Sequence, residues 1–268
     1  MSPINRASIS AYLICHNEER QIRRCLKSIA WCDEIIVVDS GSTDRTVEIA
    51  REFTDRVIHH NWPGYVEQKA YALSLCTKEW ALSIDSDEEV SAEMRDEILH
   101  ILEEDKAGRI TAHGFLFNRV VYFLNRWWNR GGWYPEFRLR LGRRSEKWWG
   151  GENPHDKAFV RGKTKRCKGV LHHYSFSDLT DYVRRGNALS SISAATLVRR
   201  NAQFSVIKLI GSPIARFLKF YIVKRGFLEG VAGFVLAVSE AHTVLLKYAK
   251  VWEASTIVKT DDEPTPTD

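Results

Sequence analysis

Asp85, Asp87, Glu88 and Glu89 stand within five residues, directly after the apolar run Trp80–Ile84 in WALSIDSDEEVS. Four carboxylates crowded at the mouth of a buried strand repel one another unless cations sit among them. An Asp-x-Asp pair at a strand end can hold a divalent ion through hard oxygen donors, and Mg2+ or Mn2+ arriving with phosphates suits so small a ligand set. A solvated helix N-terminus produces the same letters. Position favours the metal reading, because two more acidic stretches, CHNEE (15–19) and DSGSTD (39–44), also follow apolar runs.

The elements that must position these groups alternate along the chain. Residues 9–15 and EIIVV (34–38) are apolar and strand-like, and Asn17 is expected to cap a helix carrying Ile22, Cys25, Leu26 and Ile29. The GSTD turn opens a second helix with Val47, Ala50 and Phe53 on one side; a short strand at 56–59, a helix at 65–75, a strand at 80–84 and a helix at 91–104 follow. Such βα repeats predict an α/β fold with a doubly wound, mainly parallel sheet. Ligands bind beyond the carboxyl ends of such strands, where the three acidic stretches fall.

From Ala112 the pattern changes. AHGFLFNRVVYFLN and WYPEFRLRLGR predict antiparallel strands, and the two-residue spacing of Arg138 and Arg140 puts both on one face. WWNRGGW and KWWGGENPHD read as loops, either substrate contacts or a satellite aromatic core. The last third is helical. Residues 204–223 are apolar with Lys208, Arg216 and Lys219 interrupting, and 226–246 is long enough to span a bilayer, but Glu229, Glu240 and His242 would be costly in lipid. A membrane-surface helix pair is therefore expected, with a buried hairpin as the alternative. The resulting division is 1–178 (halves 1–110 and 111–178), a helical region 179–253, and a disordered tail 254–268.

Composition sets outer bounds. With 268 residues, 44% hydrophobic and 27% charged, the chain can bury a sizeable core and is not disordered by default. Five cysteines without a CxxC pair read as reduced thiols of a cytosolic protein. The apolar run at 9–15 is too short for a secretory signal, so a cytoplasmic location is expected, peripheral on the inner face of the cytoplasmic membrane if the helices touch lipid. The net charge of +5 hides a division: 11 Lys+Arg against 21 Asp+Glu over 1–105, and 14 against 4 over 119–170. An acidic cation-binding half and a basic anion-binding segment fit this, as does a nucleic-acid patch.

Dehalogenase-type phosphatases also use DxD, near the chain start, but their pattern fits poorly where Glu89 stands. The motifs instead resemble the nucleotide-binding half of family 2 glycosyltransferases: ISAYLICHNEE their first strand, EIIVVDSGSTDRT their VVDDGSTDGT, and LSIDSDEEVS their LDADE. WYPEFRLRL, ENPHD, HHYSF, GFLEGVAGF and KYAKVWE extend the likeness to the subgroup of lipopolysaccharide-core β-1,4-glucosyltransferases, over roughly residues 7–253.

The resemblance implies a GT-A fold with a small antiparallel acceptor-side region and a C-terminal helical extension. It implies a metal-dependent, inverting transfer from a nucleotide-sugar, usually a UDP-sugar, to a glycolipid or cell-envelope glycan. By position, Asp39 would meet the uracil, with Glu18 and Asp44 near base and ribose; Ser40 stands where the family has a second Asp. Lys69, Asp85, Arg138 and Arg140 join the nucleotide-binding set, Asp87 is the direct metal ligand, Asp85 its companion, and His173 completes the shell, with His172 able to exchange roles. Asp156 in NPHD is the expected base, with Glu152 the runner-up. Two other functions compete: a nucleic-acid-binding protein using the basic, Trp-rich 119–170 segment, and an inactive sugar-nucleotide sensor.

Overall fold

A computed structural model describes residues 5–152 and 155–256. Asn153 and Pro154 of the NPHD stretch, and residues 257–268 of the expected tail, lie outside the described residues.

The chain forms two compact units, the first made of Met1–Tyr122 with Pro135–Ser175 and the second of Phe123–Tyr134 with Phe176–Asp268. In the first, β1 (Ile9–Cys15), β2 (Glu34–Asp39), β3 (Val57–His59) and β4 (Trp80–Ser83) lie parallel in the order β3-β2-β1-β4. Helices α1 (Ile22–Ile29), α2 (Thr46–Arg51) and α3 (Tyr65–Ser74) supply the crossovers. Residues 36–38 of β2 are fully buried, as a strand covered on both faces requires.

The short β5 (Glu88–Val90) and α4 (Ala92–Lys106) follow, and Ser91 caps α4 by accepting from the Met94 amide at 3.1 Å. Beyond β4 the sheet turns mixed. β8 (Glu136–Arg143) pairs antiparallel with both β4 and β6 (Gly114–Phe123), as expected for the second half. β11 (Thr164–His173) then runs parallel to β6, with β5 antiparallel at the edge. Fold class and sheet layout thus agree with the expected α/β, mainly parallel architecture.

Two local expectations are corrected, and one strand goes unread. Asn17 does not cap α1, whose N-cap is Gln21; Asn17 adopts a left-handed φ of 55° and spends its side chain elsewhere. KWWGGENPHD is not all loop, because β9 (Lys147–Glu152) and β10 (His155–Val160) form an antiparallel hairpin. β11 was hidden by its mixed polarity and by a register break between Arg166 and Val170. At that break the amides of Lys168 and Gly169 donate to the Glu97 carboxylate of α4, and a Cβ on Gly169 would stand 2.6 Å from the Met94 Cα. Gly169→Ala should therefore lower unfolding free energy by roughly 1–3 kcal/mol through overpacking, read by urea denaturation. An unchanged midpoint would show that α4 can give way.

In the second unit, β7 (Arg126–Trp127) is flanked in sequence by members of a packed aromatic cluster of Phe123, Trp128, Trp133, Phe176 and Tyr182, with contacting ring centroids 4.9–6.1 Å apart. Trp128 is buried and donates to the Phe123 carbonyl at 2.9 Å. Of the two readings of WWNRGGW, these tryptophans take the core one. Helices α5 (Leu179–Arg199), α6 (Val206–Leu218) and α7 (Gly230–Thr256) complete the unit, with a π-helical turn Lys219–Val223 and a 3-10 turn Gly226–Glu229 between the last two. Residues 254–256, expected in the tail, close α7.

Candidate active site

Strand order reverses at β1, with β2 on one side and β4 on the other, so the parallel strands open a crevice at their carboxyl ends. Asp39 ends β2 in register with Cys15, and Asp85 follows β4 on the other flank. Asp39 is buried; its Oδ2 accepts from the Gly41 and Ser42 amides at 2.9 and 3.0 Å, which shapes the DSGSTD turn. Gly41, at φ +88°, takes a conformation that other residues adopt with strain.

The first two loops are stitched together. The Asn17 Oδ1 accepts from the Thr43 amide at 2.8 Å, and the Asn17 amide donates to Ser42 Oγ at 2.9 Å. The Glu18 amide donates to Thr46 Oγ1 at 2.7 Å, and Asp44 accepts from the amides of Glu19 and Thr46. Burial works against ionisation of Asp44, but the Thr46 hydroxyl and those amides, all donating to it, hold its carboxyl below the ordinary range. Ser40 accepts from the buried Gln68 at 2.9 Å, so the departure from the family pattern is filled by a neutral pair.

The crowded carboxylates of DSDEE find their cations in the protein itself. Lys69 Nζ, from α3, lies 2.8 Å from Asp85 Oδ1 and 2.9 Å from Asp156 Oδ2. Arg140 donates to both Asp85 and Glu88, and Arg119 reaches Glu88 at 3.5 Å and Glu136 at 2.8 Å. Burial pushes the Asp85 carboxyl up, yet Arg140 and Lys69 hold it well below the usual carboxylate range. Glu88, wholly buried, goes the other way: desolvation outweighs Arg140, and the charge on Asp85 adds to the rise. Lys69 is raised despite its own desolvation, by the two aspartates.

Asp87 is held apart from this network. β5 pairs with β11 so that Glu88 faces His173, and His173 Nε2 comes within 3.2 Å of Asp87 Oδ2. Burial works to raise the Asp87 carboxyl, and the imidazole more than reverses it. Ser175 Oγ steadies the ring, 2.7 Å from Nδ1. His172 stands 3.7 Å from Glu89, away from Asp87. A hard carboxylate beside an imidazole suits a divalent ion that takes its remaining ligands from phosphate oxygens. The oxygens of Asp85, by contrast, are committed to Lys69 and Arg140. Among the described residues no cluster of three or more His, Cys, Asp or Glu forms a metal cage by itself.

Lys69, Asp85, Arg138, Arg140, Trp149 and Asp156 line a cleft of about 680 Å³, together with Arg119, Lys157 and Phe159. Both arginines of the two-residue spacing thus reach it, although Arg138 is exposed and forked onto Glu136. Arg140 Nε has no partner among the described residues, leaving one buried donor unspent. Glu152 is exposed at the far end of β9. Sequence reasoning missed Arg119 and Lys157, and counted Glu88 among the crowded carboxylates without giving it a role. The complementary charges of 1–105 and 119–170 were their signal, because Arg119, Arg140 and Arg143 all pair with carboxylates, Arg143 with Asp105. Part of the basic segment is therefore neutralised from within. The five cysteines are free thiols, with Cys32 half-buried and the others buried.

A strand-edge crevice ringed by acidic loops and lined with cations has the chemistry to hold an anionic, phosphate-bearing ligand. The profile of glycosyl transferase family 2 matches residues 10–164, and the chain belongs to this family. An uncharacterized glycosyltransferase of Rickettsia typhi is 34% identical over 266 residues, covering 92% of this chain and 87% of that one. The lipopolysaccharide core biosynthesis glycosyltransferase LpsC of Rhizobium meliloti is 28% identical over 257 residues, covering 93% and 94%. Among solved structures, Staphylococcus aureus TarS 1–349 in complex with UDP-GlcNAc aligns at 15% identity and TM-score 0.48, covering 92% of this chain and 91% of that one. Glucosyl-3-phosphoglycerate synthase of Mycobacterium tuberculosis, in complex with Mn2+, UDP and phosphoglyceric acid, aligns at 18% identity and TM-score 0.47, covering 72% and 78%.

Proposed function

We infer that the chain transfers a sugar, with inversion, from a UDP-sugar to a hydroxyl of a glycolipid or cell-envelope glycan. The observation that carries this reading is the Asp85–Lys69–Asp156 chain, which joins the nucleotide-binding strand ends to the carboxylate expected to act as base. Asp39, with Glu18 and Asp44 on the stitched loops, receives the nucleoside. Arg138 and Arg140 face the diphosphate. Asp87 and His173 hold Mg2+ or Mn2+, which when bound supplies positive charge to the leaving group.

The acceptor hydroxyl gives its proton to Asp156 as its oxygen bonds to the anomeric carbon, and the bond from that carbon to the diphosphate breaks, releasing UDP. Trp148 and Phe159, exposed and stacked at 5.6 Å on the β9–β10 hairpin, offer an aromatic platform for a sugar ring beside the cleft. The relationship to LpsC favours a lipopolysaccharide-core acceptor, which a cytoplasmic enzyme would meet at the inner face of the cytoplasmic membrane.

Thermal-shift titration tests the donor. UDP and UDP-sugars with Mn2+ or Mg2+ should raise the melting temperature, and GDP should do so less, since a ligand binding only the folded state stabilises it by mass action. Asp87→Ala should fold normally and lose at least about 100-fold in turnover. A fully active variant, or silence with every nucleotide, defeats the reading.

A further inference from the structure

The α6–α7 hairpin of the second unit presents an apolar surface that no described residue covers. No residue of α6 is buried, and Ile207, Ile210, Ile214 and Leu218 recur at helical spacing on its open side, Ile207 being 84% exposed. At the turn into α7, Val223 and Val231 are 72% and 81% exposed, with Phe227 and Leu228 between them. Soluble monomers rarely leave so continuous a patch in water.

The turn is closely built. Gly233 lies so near Gly226 that a Cβ would stand 1.9 Å from its carbonyl oxygen, and a Cβ on Gly226 would stand 2.6 Å from the Phe220 carbonyl oxygen. The exposed side chains are therefore carried on an ordered, tightly packed turn.

Charge identifies what covers them. From Val206 to Leu228, along α6 and the turn into α7, the chain has five basic residues (Lys208, Arg216, Lys219, Lys224, Arg225) and no Asp or Glu. Lys208, Lys219 and Arg225 are exposed beside the apolar stripe. The two acids that made a membrane setting costly are turned inward: Glu240 accepts from the Tyr182 hydroxyl at 2.8 Å and faces Arg216, and Glu229 faces Arg126. By length and composition Gly226–Thr256 could cross a bilayer. Leu236, Ala237, Val244 and Val251 of that stretch are nevertheless buried within the unit, and Glu240 sits at its middle. A packed face and a carboxylate at mid-helix suit a place along a surface better than a span.

We propose that the α6–α7 hairpin docks in the plane of an anionic phospholipid bilayer, with its apolar turn in the acyl boundary and its lysines and arginines at the headgroups. Apolar area supplies adhesion and the cationic rim supplies selectivity for acidic lipid. The surface stands independently of the transfer reaction and is tested without it.

Full-length protein is floated with phosphatidylcholine vesicles, with and without phosphatidylglycerol. It should rise with the anionic vesicles and lose most of that binding in high salt. Val223→Asp/Val231→Asp should lower the bound fraction about tenfold without moving the melting temperature, because both sites are exposed. Ile207→Asp/Ile214→Asp is a second variant on a different stretch of the stripe. Lys208→Glu/Lys219→Glu should abolish the preference for phosphatidylglycerol. The proposal is overturned if wild type floats with neither vesicle, or if the aspartate variants float like wild type. It is equally overturned if the aspartate substitutions split a stable dimer that never bound vesicles, which would make a second copy the occupant.

Discussion

Arg140→Met should unfold at a midpoint on the order of 10 °C below wild type, a loss of about 3–5 kcal/mol, because it strands charge in the interior. Glu88 is wholly buried, and among the described residues its carboxylate keeps the distant Arg119 and the Asp85 amide as polar partners once Arg140 is gone. Asp85 retains Lys69, so Glu88 dominates the loss. The sign of the pH dependence follows. A buried carboxyl whose folded-state pKa is raised binds a proton on folding, so its contribution is present at low pH and is lost as pH rises. With Arg140 removed the rise in Glu88 becomes larger, and the deficit against wild type should shrink as pH falls from about 8 to about 5. Adding Glu88→Gln should recover part of the stability at neutral pH. A deficit independent of pH and unrelieved by Glu88→Gln would mean that Arg140 serves by packing alone.

The same network shows which parts of the molecule the sequence makes legible. Helices α1 and α4 follow from apolar residues at helical spacing, and strands β1, β2 and β4 from continuous apolar runs, because those are the side chains each element buries. The three acidic stretches were legible as strand ends for the same reason. What stayed hidden depends on pairing between distant segments. Glu88 reads as one more solvated acid until β8 brings Arg140 against it, 52 positions along the chain. Asn17 reads as a cap until the second loop claims its amide. The β9–β10 hairpin was obscured by Gly150 and Gly151, turn-like letters placed where Phe159 leans over a strand. His173 was found through family likeness, and the physical reason for its place, the antiparallel β5–β11 pairing, lies in a strand of only three residues.

Asp156→Asn should lower turnover by about 10²–10⁴-fold while leaving the fold and the donor KM nearly unchanged, the scale of a lost general base. Two carboxylates share the Lys69 ammonium, so the amide substitution leaves that cation with Asp85 and orphans nothing. Little stability should go with it, which separates this variant from Arg140→Met. Glu152→Gln is the internal control: Glu152 is exposed at the end of β9, and its variant should keep turnover within a few-fold of wild type. Lys69→Met distinguishes the shared cation from the base. It exposes Asp85 and Asp156 to each other, so donor affinity and turnover should fall together, whereas Asp156→Asn should spare the first. Should Asp156→Asn instead melt early and turn over normally, the carboxylate would be a structural partner of Lys69, and the base would have to be sought on the other wall of the cleft.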